Sequence, residues 1–116
     1  MKRVLTIRLG GDWKGGLRRA ARKAKARHYQ GEELTFENAG AFFGQLTARR
    51  WDLIGAVQGQ GALTIRAIAG RVERDVKRVH EDVSALVDLG VFEKGDDGVV
   101  CPFDRIHVDL EIAVPA

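Results

Sequence analysis

Hydrophobic residues recur along this chain with two different periods, and the change between them lies near Asn38. Before it, residues 2–9 (KRVLTIRL) and 32–37 (EELTFE) alternate apolar and polar positions, which is typical of β-strands. Between these strands, apolar residues at helical spacing predict a helix over residues 13–28, with a narrow stripe of small apolar side chains. Residues 1–37 are therefore predicted to form an N-terminal strand–helix–strand arm.

From Asn38 onward the apolar spacing is that of a helix, in short segments that follow one another closely. Several of these segments begin with Asn or Thr, which accept a hydrogen bond from the first turn of a helix. The predicted helices and their N-caps are 38–46 with Asn38, 48–58 with Thr47, 65–71 with Thr64, and about 75–89 after a turn at Glu73–Arg74.

Two β-rich runs follow the last helix and enclose the sequence Gly-Asp-Asp-Gly, which predicts a hairpin over residues 91–102. Residues 105–112 then alternate again and predict one more strand. The order helix, short helix, tight turn, longer helix, hairpin is that of a winged helix-turn-helix. The predicted fold class is therefore α+β: a winged helix-turn-helix DNA-binding domain over 38–116, preceded by the arm.

The longer helix, about 75–89, has one apolar side and a concentration of cations at its start. On a wheel of about 100° per residue, its aliphatic residues fall in one sector of about 100°, the width of a core-facing stripe. These residues are Val76, Val79, Val83, Leu86 and Val87. Arg74, Lys77 and Arg78 project from the opposite side, at the end that a helix-turn-helix inserts into the major groove.

Each candidate DNA-binding residue has a distinct chemical role. The three cations of this helix can donate to phosphates or to guanine O6 and N7, and Glu81 can accept from cytosine N4. Thr64 and Arg66, at the N-terminus of the preceding helix, are placed to hold a phosphate. Lys94, on the wing at 91–101, is a candidate contact to the DNA backbone. The predicted DNA-binding set is Thr64, Arg66, Arg74, Lys77, Arg78, Glu81 and Lys94.

The charge of the chain is uneven along its 116 residues. The net charge of +3 combines +9 over residues 1–28 (ten Lys and Arg against one acid) with −6 over residues 29–116 (nine against fifteen). Such a split suggests an arm that faces a polyanion or an acidic partner, and a solvated basic helix has the same pattern. The candidate partner-binding residues of the arm are Arg18, Arg19, Arg22 and Lys23.

Other function classes find little support in the sequence. The chain has no apolar run of membrane-spanning length, and its single cysteine, Cys101, fits a reducing cytoplasm. No catalytic constellation is found, so we expect no enzyme and no cofactor. The acidic side of the 105–112 strand (His107, Asp109, Glu111) reads as a solvated face, so we expect no metal. The glycine-rich loop at 10–16 matches no phosphate-binding motif, and we expect no βαβ partner with a ribose-binding acid after it.

One long segment of the sequence is similar to a known group of proteins. It runs from "LTARRWDLIGAVQ" to "RDVKRVHEDVSALVDLGVFEK" and is followed by "IHVDLEI". Over about residues 46–112 the chain resembles small prokaryotic winged-helix regulators of the broad MarR/ArsR-like type, with an RDVKxVHxDVxALVxLG segment and an IHVDxE strand. The resemblance implies a DNA-binding regulator, usually dimeric, whose reading helix starts near Asp75 and whose wing carries Lys94. Members of the group also resemble the antitoxins of TumE-type toxin–antitoxin modules.

The chain departs from that pattern at two positions of the turn and the reading helix. Glu73 stands where such turns often have Gly; if this residue is left-handed, Glu costs about 1 kcal/mol relative to Gly. Glu81 stands where a neutral or basic residue is expected.

From the predicted fold, the cationic helix and the resemblance together, we expect a homodimeric, sequence-specific repressor that regulates its own operon and binds double-stranded DNA. The alternative is an antitoxin that neutralises a toxin protein by direct contact, with DNA binding as a second role.

Overall fold

The computed structural model describes residues 2–10, 17–22, 29–111 and 114. These residues form helices and two small sheets, which confirms the α+β class. The strands are β1 (Val4–Leu9), β2 (Glu32–Phe36), β3 (Glu93–Gly95), β4 (Gly98–Val100) and β5 (Arg105–Asp109). The helices are α1 (17–22), α2 (Ala39–Gln45), α3 (Ala48–Val57), α4 (Ile65–Val72) and α5 (Val76–Asp88).

Three of the helices begin at the caps that the sequence predicts. The side chain of Asn38 accepts from the backbone N–H of Ala41 at 2.8 Å, at the start of α2. Thr47 and Thr64 accept in the same way at the starts of α3 and α4. Each of these side chains satisfies an N–H that has no partner inside its helix, so the predicted starts are confirmed.

The larger sheet is entirely parallel and has β1 at its centre, in the order β2-β1-β5. Ile7 of β1 lies in register with Leu34 of β2 and Val108 of β5. The arm therefore shares a sheet with the strand that follows the hairpin. Because β1 and β2 are parallel neighbours with helical residues between them, a parallel strand does follow the first strand. The expectation that no such partner with a ribose-binding acid is present stays a prediction. The loop at 11–16 lies outside the described residues.

A single apolar core joins this sheet to the helices and the hairpin. Its most deeply buried side chains come from nearly every part of the chain. They are Ile7, Leu46, Leu53, Val57, Ile68, Val79, Leu86, Val91 and Phe92. Within the described residues no polar or charged residue is fully buried. The burial of apolar side chains is therefore the main interaction that holds the elements together.

Two apolar helix residues are largely exposed, and one of them, Val76, was expected on the core-facing stripe of α5. Phe42 is 4% exposed but Phe43 is 59% exposed, because adjacent positions on a helix point about 100° apart and α2 buries only one side. Val76, the first residue of α5, is 44% exposed, because the start of the helix projects beyond the packed elements and burial begins at Val79.

The small sheet is a hairpin of β3 and β4 that is attached to the segment before α4. Leu63 and Val99 exchange two backbone hydrogen bonds of 2.9 and 2.8 Å. The backbones approach so closely that a Cβ at Gly98, whose φ is 131°, would collide with the carbonyl of Leu63. The hairpin is thereby held beside the N-terminus of α4.

Across the parts of the chain with described coordinates, no helix combines the length and the apolar character needed to span a bilayer.

Candidate nucleic-acid interface

The turn between α4 and α5 is built around one left-handed residue. Glu73 has φ 54° and ψ 49°, and among the described non-glycine residues it alone has a positive φ. The backbone N–H of Arg74 returns to the carbonyl of Ala69 at 3.1 Å, and Asp75 then caps α5 by accepting from the N–H of Arg78 at 3.2 Å. The chain thus changes direction within three residues, and Glu73 has the left-handed conformation for which such turns often use Gly.

The helix α5 is anchored by one side and exposed on the other. Val79, Val83 and Leu86 are buried against the core. The side chains of Lys77 and Arg78 are exposed, and neither has a hydrogen-bond or ion-pair partner among the described residues. The first turns of α5 therefore present two unengaged cationic side chains on a rigid helical base.

The side chain of Arg74, in contrast, is largely buried and has an ion-pair partner. Its Nη2 donates to Oδ2 of Asp82 at 2.7 Å, and its side chain is only 15% exposed. Arg50 of α3 donates to the other oxygen of the same carboxylate at 3.1 Å. The expectation that Arg74 projects outward with Lys77 and Arg78 was therefore wrong. Arg74 precedes the helix, so its long side chain folds back along α5 toward α3.

The carboxylate of Asp82 is held in its charged form by these two arginines. Burial by itself would raise its pKa, but hydrogen bonds from Arg74 and then Arg50 outweigh it, so the pKa of Asp82 lies below its ordinary value. The Arg50–Asp82–Arg74 network consequently links α3, the turn and α5 through one anion, and it fixes the orientation of α5.

An open groove of about 550 Å³ lies between the start of α3 and the start of α5; we call it the α3–α5 groove. It is lined by charged side chains of both signs: Arg49, Arg74, Asp75, Lys77, Arg78, Glu81 and Asp82. Arg49 is exposed and brings a further cation beside Lys77 and Arg78. The sequence reasoning missed Arg49. Its only sequence signal is the Arg49–Arg50 pair after the Thr47 cap. In the structure Arg49 lines the groove, whereas Arg50 binds Asp82.

On the other flank of α5, a cleft of about 290 Å³ separates this helix from the hairpin. Lys94, on β3, is exposed and lines this cleft together with His80 and Ser84 of α5. Lys94 pairs with Val99 across the hairpin. The backbone of Val99 is hydrogen-bonded to that of Leu63, the residue before Thr64. The hairpin that carries Lys94 is therefore attached to the segment that leads into α4.

The remaining predicted DNA-binding residues are accessible. Thr64 and Arg66 are both exposed. The hydroxyl oxygen of Thr64 accepts from the N–H of Ala67 at 3.1 Å, which leaves its proton available to a phosphate oxygen. Glu81 is exposed and lies within the α3–α5 groove, next to the two cations of α5.

The predicted partner-binding residues of the arm differ in their exposure. Arg18 and Arg22 of α1 are exposed, whereas Arg19 is 26% exposed and forms an ion pair with Glu33 of β2 at 3.1 Å. Lys23 lies outside the described residues. Arg19 is thus engaged by the sheet of its own chain.

Neither the charged face of β5 nor Cys101 has the surroundings of a reactive site. Asp109 is ion-paired with Arg8, and no set of three or more His, Cys, Asp or Glu residues in the described ranges is arranged to hold a metal ion. Burial raises the pKa of the Cys101 thiol, which disfavours the nucleophilic thiolate.

Comparison with known proteins assigns the larger part of the chain to a family. Residues 45–108 match the HVO_A0114 family, a span that covers more than half of the chain. The chain belongs to the HVO_A0114 family. The match runs from the end of α2 to β5 and includes every element around α5. Neither the curated proteins nor the solved structures gave a match.

Proposed function

We propose that this chain is a sequence-specific DNA-binding regulator, a homodimeric repressor that acts on its own operon. In this proposal residues 38–116 form a winged helix-turn-helix of the MarR/ArsR-like type. Helices α4 and α5 are the helix-turn-helix, β3 and β4 are the wing, and α5 enters the major groove. The observation that carries the proposal is the pair Lys77 and Arg78, free and exposed at the leading end of a helix whose other side is buried.

The cations of the α3–α5 groove divide between reading and positioning. Lys77 and Arg78 reach base edges or phosphates, and a good bidentate contact to a base supplies about 1–3 kcal/mol of discrimination. Arg49 is a phosphate contact from the neighbouring helix, which sets the orientation of the protein without reading sequence. Arg74 acts through Asp82, by holding α5 at the angle that the other cations require.

Glu81 gives the same groove a selective element. A carboxylate repels phosphates, so it lowers non-specific affinity, and it accepts a hydrogen bond from cytosine N4. A groove with four cations and three acids therefore favours DNA that offers the right base edge over DNA in general.

The second set of contacts is to the DNA backbone on the wing side. Thr64 and Arg66 lie at the exposed N-terminus of α4, where the helix dipole favours an anion. Lys94 lies on the hairpin, which is attached at Leu63 to the segment before α4. In a dimer, two such units on a pseudo-palindrome place their reading helices one DNA turn apart, about 34 Å.

The test is fluorescence anisotropy with duplex DNA from upstream of the gene. We expect Lys77→Ala/Arg78→Ala to bind at least tenfold more weakly than the wild type, since two base or phosphate contacts are lost. The matched control is Lys2→Ala/Arg71→Ala, which removes the same charge from positions that line neither the groove nor the cleft. Equal affinity for the wild type and the α5 variant would remove α5 from the DNA interface.

The second candidate function is that of an antitoxin that covers an acidic surface of a toxin protein. Its support is the exposure of Arg18 and Arg22 on α1, within the strongly basic N-terminal segment. Co-purification with the product of the adjacent gene tests it. We expect capture to be lost in Arg18→Glu/Arg22→Glu and kept in Lys77→Ala/Arg78→Ala. Capture that survives the α1 substitutions would rule out this surface as the toxin contact.

A further inference from the structure

In the part of the chain that the structure describes, the outer edge of β5 is an open sheet edge. Among the described residues β5 pairs only with β1, which lies at the centre of the parallel sheet. Alternate backbone N–H and C=O groups of β5 therefore face away from the sheet without a strand partner. Natural proteins seldom leave such an edge bare, because it is a template for another strand.

The residues along this edge have a symmetric order of chemical types. From Arg105 to Glu111 they are basic, apolar, basic, apolar, acidic, apolar and acidic. The centre of this order is Val108. If a second copy runs antiparallel about a two-fold axis at Val108, every basic residue lies opposite an acidic one.

That register pairs complementary side chains along its whole length. Arg105 lies opposite Glu111 of the partner subunit, and His107 lies opposite Asp109 of the partner subunit. Ile106 lies opposite the partner's Leu110, and all three kinds of pair occur twice. Directly opposite residues of antiparallel strands point to the same face, so the charged pairs share one face and the apolar pairs the other.

The exposure of these side chains in the single chain agrees with the pairing. Arg105, His107 and Glu111 are exposed and have no hydrogen-bond or ion-pair partner among the described residues. Leu110 is 44% exposed, although it continues the apolar face of the partly buried Ile106. A second β5 supplies each charge with an opposite charge and covers Leu110.

Other arrangements of the same edge lack this match. An antiparallel register centred on His107 sets two imidazoles face to face and places Leu110 opposite Asp104. A parallel arrangement sets Arg105 beside Arg105 of the partner subunit. The other described edge of the sheet, β2, begins with Glu32 and Glu33 and carries no basic residue to oppose them. Complementarity therefore selects one edge and one register.

We propose that two copies of this chain join through antiparallel pairing of their β5 strands about Val108. The result is a continuous six-stranded sheet in the order β2-β1-β5-β5-β1-β2, antiparallel at its centre and parallel within each subunit. The pairing extends the strand to Leu110 and Glu111. It depends on the sheet edge alone and holds whether or not the chain binds DNA.

Charge exchange at the ends of the paired segment tests the register. The variants are Arg105→Glu and Glu111→Arg, and the measurement is molar mass by light scattering or sedimentation. We expect the wild type to be a dimer and each single variant a monomer, since each sets like charges opposite each other twice. An equimolar mixture of the two variants is expected to form a heterodimer, because both acidic ends of one chain then meet both basic ends of the other.

The double variant Arg105→Glu/Glu111→Arg is the control, because it keeps the net charge and restores both pairs, so we expect a dimer. A monomeric wild type would overturn the proposal, and so would single variants that remain dimeric or a mixture that fails to associate. None of these measurements contains DNA. A monomeric wild type would also contradict the homodimeric part of the regulator proposal, whereas dimeric single variants or a mixture that fails to associate would overturn the β5 pairing alone.

Hydrogen exchange of the wild type examines the same edge without any substitution. On dilution from dimer to monomer, the amides of residues 105–111 are expected to lose protection while those of β1 keep it. Protection of 105–111 that is independent of the association state contradicts the pairing.

Discussion

The guanidinium of Arg74 donates to the carboxylate of Asp82 at 2.7 Å, across two turns of α5. Arg50 reaches the same carboxylate from α3, so one acid joins α3, the turn before α5 and α5 itself. Two further nitrogens of Arg74, Nε and Nη1, are buried and have no acceptor among the described residues. Such a cation depends on its one carboxylate partner, because a buried charge without a counter-charge is strongly unfavourable.

Removing that carboxylate is expected to destabilise the fold. Asp82→Ala leaves Arg50 and Arg74 facing each other without an anion, and we expect the free energy of unfolding to fall by about 2–3 kcal/mol. Urea denaturation measures the change. The control is Asp88→Ala, which removes an exposed acid at the last turn of the same helix, where a carboxylate opposes the helix dipole. A loss no larger than that of the control would show that the network is not stabilising.

The same network makes stability depend on pH in a defined direction. Because the pKa of Asp82 is lower in the folded chain than the ordinary value of about 3.9, its contribution is complete above that value. The contribution is lost as the pH falls through the folded pKa. We expect the difference in free energy of unfolding between the wild type and Asp82→Asn to be constant near neutral pH and to shrink in acid. A difference that grows as the pH falls would contradict the lowered pKa.

Arg49 is expected to contact a phosphate if the α3–α5 groove receives DNA. The Arg49→Ala variant should weaken binding to all sequences alike. It should also reduce the salt slope of the logarithm of the binding constant by about 0.9, the value for one phosphate contact. Anisotropy titrations over a range of KCl concentrations measure the slope. Arg71→Ala is the matched control, since Arg71 donates to Gln60 outside the groove and should leave the slope unchanged.

Glu73 is expected to be a site of stored backbone strain. A side chain at φ 54° is unfavourable for a residue with a Cβ, so Glu73→Gly should stabilise the protein by about 0.5–1 kcal/mol. Thermal unfolding measures the gain. Glu73→Ala separates the cause, because it removes the charge and keeps the Cβ. A gain shared by both variants would trace the effect to the charge instead of the backbone.

The local elements of this protein follow from its sequence because their determinants are close together in the chain. Apolar spacing and the caps Asn38, Thr47 and Thr64 are set within a few residues, and the helices start where these signals stand. The buried stripe of α5 and the left-handed turn at Glu73 are local in the same sense. The α+β class and the cationic start of α5 were therefore predictable.

The tertiary structure alone decided which elements meet and where long side chains end. β1 lies between β2 and β5, and its pairing with β5 joins residues about a hundred positions apart, which no local pattern encodes. A helical wheel gives the direction of a Cα–Cβ bond, whereas an arginine reaches several ångströms beyond it to the nearest available anion. For that reason Arg74 turned toward Asp82 and Arg49 took a place in the groove.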